Sequence, residues 1–206
     1  MFDGIVYARA DAMSDQERRW FDNIKKAIFE SDKAFTDGNK EDYCFEALCK
    51  GIDTAKTLRL SLRGDDCSTT NNKKRFTEFL DLDIPGFKSD ITLFDHRQEK
   101  NVSYSFSSMI YAIRCMIHEN ENLNAAEQPD YHILLDWNFK APEQALGIYK
   151  GDQITLNARS IWLRLREVLV KFTQGIEAMI AIENGRGCSM GPAPYNSIRP
   201  IKHDIS

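Results

Sequence analysis

The fold class predicted for this chain is mainly α: an up-and-down bundle of four to five helices with a small β-hairpin insert before the last helix. Three observations predict it. Long amphipathic stretches occupy both ends of the chain, an apolar stripe at helical spacing runs through the middle, and extended-looking pieces are confined to residues 132–156. A length of 206 residues is enough for one well-buried core and nothing in the composition forces a split, so residues 1–183 are expected to form a single domain followed by a Gly/Pro-rich tail, 184–206.

The first helix opens at Ser14-Asp15-Gln16-Glu17, a capping box in which serine and glutamate satisfy free backbone N–H groups reciprocally. It continues through Trp20, Ile24, Ala27, Ile28 and Phe35, and Asp37-Gly38 ends it. The second, from about Lys40 to Leu62, carries Phe45, Leu48, Ile52, Ala55, Leu58 and Leu62 on one face, with Arg63-Gly64-Asp65-Asp66 as its stop. These two make an antiparallel hairpin. A shorter helix runs from Lys73 to about Leu80, and Pro85-Gly86 prevents its continuation. Residues 87–102 are mixed in pattern; Ile91, Leu93 and Phe94 mark contact with the core.

The next helix, from about Tyr104 to Glu119, has Phe106, Met109, Ile110, Ile113, Met116 and Ile117 as its apolar face, with Ser107, Tyr111, Arg114 and His118 along the adjoining flank. After a polar loop, residues 132–137 read as a strand, and 147–149 with 153–156 read as a hairpin around Lys150-Gly151-Asp152. Asn157 then caps the clearest amphipathic helix of the chain, with Ile161, Leu165, Val168, Leu169, Phe172, Ile176, Met179 and Ile180 at helical spacing through about Glu183.

Hydrophobic content of 42% with 28% charged residues is that of an ordinary water-soluble globule, neither a disordered chain nor one with a membrane span. The formal charge of -4 argues against a surface that grips nucleic acid all over, although a local basic patch is compatible with it. Five cysteines, odd in number and without a C-x-x-C pair, disfavour a disulfide framework and a zinc site. With acids and an arginine at the N-terminus in place of a signal sequence, the expected location is the cytoplasm. No cofactor or metal is expected: Asp81-Leu82-Asp83-Ile84-Pro85 lacks the later ligands of a calcium loop, and Gly185-Arg186-Gly187 lacks the Gly-Lys-Ser/Thr of a phosphate loop. Lys73-Lys74-Arg75 could steer a phosphate backbone, but a short basic run at a helix start is more often solvated surface.

The candidate for chemistry is Arg114-Cys115-Met116-Ile117-His118-Glu119. A spacing of four puts guanidinium and imidazole about 6 Å apart along the axis and about 40° apart around it. Arginine can hold a phosphate bidentately while a histidine titrating near neutrality exchanges protons with a ribose hydroxyl or a leaving oxygen, without a metal. The plainer alternative is a packed or surface histidine beside an arginine paired with Glu119, Glu121 or an acid on a neighbouring helix.

Tyr111-Ala112-Ile113-Arg114-Cys115-Met116-Ile117-His118-Glu119, together with the strand-then-helix ending that starts at Gly151, resembles the HEPN superfamily of helical-bundle proteins and its "Y-x-x-R-N-x-x-x-H-E" helix. Three residues separate arginine from histidine, where the ribonuclease members usually have four to six, and Cys115 replaces a polar residue. The resemblance implies a homodimer in which Arg114 and His118 of two subunits face one cleft. It further implies a metal-independent RNA endonuclease of a toxin–antitoxin or antiviral defence system, with a possible cognate inhibitor protein as partner. In that reading Arg114 stabilises the charged transition state, His118 is the acid or base, and Tyr111 and Glu119 assist. Other HEPN members are non-catalytic, so the alternative is a nucleotide- or partner-binding module.

Overall fold

The structure, a computed structural model, describes residues 13–38, 41–67, 72–81, 90–95, 98–117, 132–140, 146–150 and 153–183. Five helices are present among them: α1 (Asp15–Asp37), α2 (Glu41–Arg63), α3 (Asn72–Leu80), α4 (Phe106–Ile117) and α5 (Ala158–Glu183). They are joined by five strands, β1 (Asp90–Asp95), β2 (Lys100–Ser105), β3 (His132–Asp136), β4 (Gly147–Lys150) and β5 (Gln153–Asn157). The strands form one mixed sheet in the order β2-β1-β4-β5-β3, so the expected helical bundle with a hairpin insert is corrected to helices packed on a five-stranded sheet.

The physical reason lies in pairings between segments far apart in the chain. β1 and β2 form an antiparallel hairpin in the stretch whose pattern was mixed, and Ile91, Leu93 and Asp95 alternate inward there while Asp90 and Thr92 face water. The expected β4–β5 hairpin is present, but it occupies the centre of the sheet. β4 lies parallel to β1, with Leu93 opposite Gly147, and β5 lies parallel to β3, with Ile133 opposite Ile154. Each hairpin alone would be marginal in water; joined side by side they bury one continuous face. Gly147 permits this join, because a Cβ there would lie 2.7 Å from the Thr155 carbonyl oxygen and 2.8 Å from methyl groups of Leu156 and Leu93.

Local signals for the helices do appear where the residues place them. Ser14 and Glu17 form the capping box, with Glu17 N donating to Ser14 Oγ at 3.2 Å and Ser14 N to Glu17 Oε2 at 2.7 Å, and Gly38 closes α1 at φ 66°. α1 and α2 pack as a hairpin, and α5 lies against both. Trp162 Nε1 on α5 donates to Ser31 Oγ at 2.7 Å, Ser31 Oγ in turn donates to the Cys44 carbonyl at 3.0 Å, and Arg166 clamps Asp32 with two bonds of 2.6 and 2.7 Å. α4 begins two residues later than its pattern suggests, since Tyr104 and Ser105 complete β2.

α4 packs against α2 and α3 and touches β1 and β2. Every residue from Phe106 to Cys115 except Ser108 is consequently buried, including the flank that carries Ser107, Tyr111 and Arg114. An amphipathic reading leaves one side of such a helix for water; here Asp53 on α2 and Phe76 on α3 cover the side that carries Tyr111 and Arg114. Among the described residues no helix is long and apolar enough to cross a membrane. The tail, 184–206, lies outside the described residues.

Candidate functional site

Arg114 sits in the last turn of α4, where a cation also opposes the negative end of the helix dipole. Only 5% of it is exposed. Its Nε donates to Asp53 Oδ2 on α2 at 2.7 Å, and the guanidinium carbon lies 5.8 Å from the ring centroids of both Phe76 and Tyr111. Those two rings meet edge-on at 5.6 Å. Tyr111, one turn before Arg114, is thus part of the aromatic wall around the cation, and Lys73 Nζ lies 5.8 Å from the centroid of its ring.

Asp53 serves two cations. Its Oδ1 accepts from Lys56 Nζ at 2.9 Å, and Lys56 also donates to Asn72 Oδ1 at the start of α3. The result is a polar chain, Arg114–Asp53–Lys56–Asn72, that pins α4, α2 and α3 together. The Arg114 pair is well shielded, with side-chain exposures of 6% and 26%, so loss of either partner would leave the other charge poorly solvated. Cys49, one turn before Asp53, is pushed up to about 12, first by burial and then by the Asp53 carboxylate, against the opposing pull of Arg114. It is a protonated core thiol at neutral pH and no nucleophile.

Of the four residues singled out for chemistry, the structure brings Arg114 and Tyr111 together in this network. His118 and Glu119 lie outside the described residues. Arg114 takes the acid-on-a-neighbouring-helix alternative, with Asp53 as that acid.

Lys56 leads from the network to a concavity of about 500 Å³ between the C-terminal half of α2 and α3. Lys56, Arg59 and Arg63 reach it from one face of α2, and Arg75 faces them from α3. Asp65, Glu78 and Asp81 share the lining, with Leu60 and Phe79 as its apolar wall. Arg63 Nε pairs with Asp65 at 3.1 Å and Arg75 Nη2 with Asp66 at 3.5 Å.

Sequence reasoning passed over Lys56, Arg59 and Arg63, although their spacing of three and four residues in Lys56-Thr57-Leu58-Arg59-Leu60-Ser61-Leu62-Arg63 would have placed them on one helix face. It noticed Lys73-Lys74-Arg75, of which only Arg75 lines the cleft, while Lys74 approaches Glu78 at 3.8 Å. Among the described residues no group of three His, Cys, Asp or Glu side chains is placed to hold a metal ion. Comparison of the chain with protein-family models, with curated proteins and with solved structures found no match.

Proposed function

We propose that this chain is a non-catalytic binding module whose α2–α3 cleft takes a phosphate-bearing ligand. The observation that carries the reading is the convergence of Lys56, Arg59, Arg63 and Arg75, from two helices, on one cavity in a chain of net charge -4. The lining sets four cations against three carboxylates, a local balance opposite in sign to that of the whole molecule, and an anion gains most at the cations. Ribonuclease chemistry at Arg114 and His118 is the competing reading. It needs the Arg114 guanidinium at a scissile phosphate, and that group is only 5% exposed, held to Asp53 between two aromatic rings. The reading places the module in the cytoplasm, as the odd number of cysteines without a C-x-x-C pair suggests.

Two assays test the proposal together. Pyrophosphate titrated into the purified protein is expected to raise its melting temperature, by several degrees when the ligand is at about a hundred times its Kd, and Arg63→Ala with Arg75→Ala is expected to remove the shift. A labelled single-stranded RNA in EDTA is expected to stay intact. Cleavage that Arg114→Ala and His118→Ala each abolish, in proteins that retain the parent circular dichroism, would replace the binding module with a nuclease.

A further inference from the structure

We infer that the ligand of the α2–α3 cleft is a single mononucleotide-sized molecule with a terminal phosphate, and not a nucleic-acid strand. The inference rests on the phosphate reading above and narrows it by the other residues of the lining.

Three carboxylates, Asp65, Glu78 and Asp81, stand among the four cations, and Asp66 adjoins Arg75. Sites that follow a nucleic-acid backbone keep one sign of charge along the groove, because each successive phosphate must meet a donor. A strand laid through this cleft would bring phosphates against carboxylates within a nucleotide's length. A mononucleotide reverses that penalty: its phosphate takes the guanidinium and ammonium donors, while its ribose hydroxyls and exocyclic amine offer N–H and O–H groups to the carboxylates, which only accept.

Size and polarity agree with this. About 500 Å³ falls within the range of small-molecule pockets, and the half-buried Leu60 is the apolar side chain against which a base can lie. Phe79, only 1% exposed, closes the cleft from within and is held edge-on to Phe172 at a centroid distance of 5.2 Å. The cations also differ in depth. Side-chain exposure is 11% for Lys56 and 19% for Arg75, against 46% for Arg63, which puts the phosphate end of the ligand at the inner pair and leaves Arg63 at the mouth. Lys56 is further held by Asp53 and Asn72, so its ammonium is in place before the ligand arrives.

Calorimetric titration of the full chain with four probes tests the inference: adenosine 5′-monophosphate, inorganic phosphate, adenosine, and an oligouridylate octamer with hydroxyl ends. Binding of the monophosphate at least tenfold tighter than each of the other three is expected. Arg75→Ala should weaken it at least tenfold, and Asp81→Ala should narrow the preference for the monophosphate over the octamer several-fold. Equal or tighter binding of the octamer or of inorganic phosphate, still weakened by Arg75→Ala, would overturn the mononucleotide and keep the phosphate site. Failure of every phosphate-bearing probe, or indifference to both Arg63→Ala and Arg75→Ala in folded protein, would remove both.

Discussion

Replacing Arg114 by methionine separates a fold-holding arginine from a ligand-facing one. The change keeps most of the apolar stem between Phe76 and Tyr111 but strips Asp53 of its 2.7 Å partner. Breaking a buried ion pair by deleting one member costs about 3–5 kcal/mol when the survivor is left without compensation. Asp53 keeps Lys56 at 2.9 Å, and its side chain is 26% exposed, so water and the lysine recover part of that cost. A loss of about 2–3 kcal/mol is expected. At an unfolding entropy of about 2.1 cal/mol/K per residue, this lowers Tm by roughly 5–7 °C. Thermal and urea melts of Arg114→Met, Asp53→Asn and the double variant would measure it, and the double variant should be less destabilised than the sum of the two. Additive losses, or a Tm within about 2 °C of the parent, would refute the structural role. Unchanged stability with lost ligand binding or lost RNA cleavage would assign Arg114 to a site.

Gly147→Ala puts a methyl group 2.7 Å from the Thr155 carbonyl oxygen, backbone that cannot swing aside; a loss of about 2–3 kcal/mol is expected in urea melts. Trp162→Phe removes the bond to Ser31 Oγ inside the core and should cost about 1–2 kcal/mol, with Ser31→Ala in the same background costing less than it does alone. Cys49 adds a pH dependence whose sign is set by its raised pKa. The unfolded chain releases the thiol proton above the ordinary value of 9.0, whereas the fold holds it to about 12, so stability falls as pH climbs through that window. Between pH 8 and pH 10 the parent should lose about 1 kcal/mol more than Cys49→Ala in urea melts; parallel losses would refute the buried, protonated thiol.

The helices were legible because their causes are local. The Ser14–Glu17 box, the left-handed Gly38 and the stripe from Ile161 to Ile176 each act within a few turns, and they give α1 and α5 nearly the expected ends. β3 was visible as a short apolar run, and β4 and β5 as well, since a short alternation around a turn is a neighbour-to-neighbour signal. The order in which the strands join was not. Leu93 opposite Gly147 and Ile133 opposite Ile154 are pairings across tens of residues, and nothing in either segment alone states its partner.

The same distinction governs the site. By itself the sequence determined that Arg114 would share a helix with Tyr111, because the helical rise places residues three apart on one side. Which way that side faces was decided by the tertiary structure: a sheet on one flank of α4 and α2 with α3 on the other leave Arg114 no solvent, and Asp53, 61 positions away, answers its charge. The cleft cations follow suit. Helical spacing aligns Lys56, Arg59 and Arg63, but only the packing of α3 against α2 brings Arg75, Glu78 and Asp81 across from them and turns a basic helix face into a cavity of mixed charge. Local backbone energetics act over one or two turns; the environment of a charge depends on what packs around it.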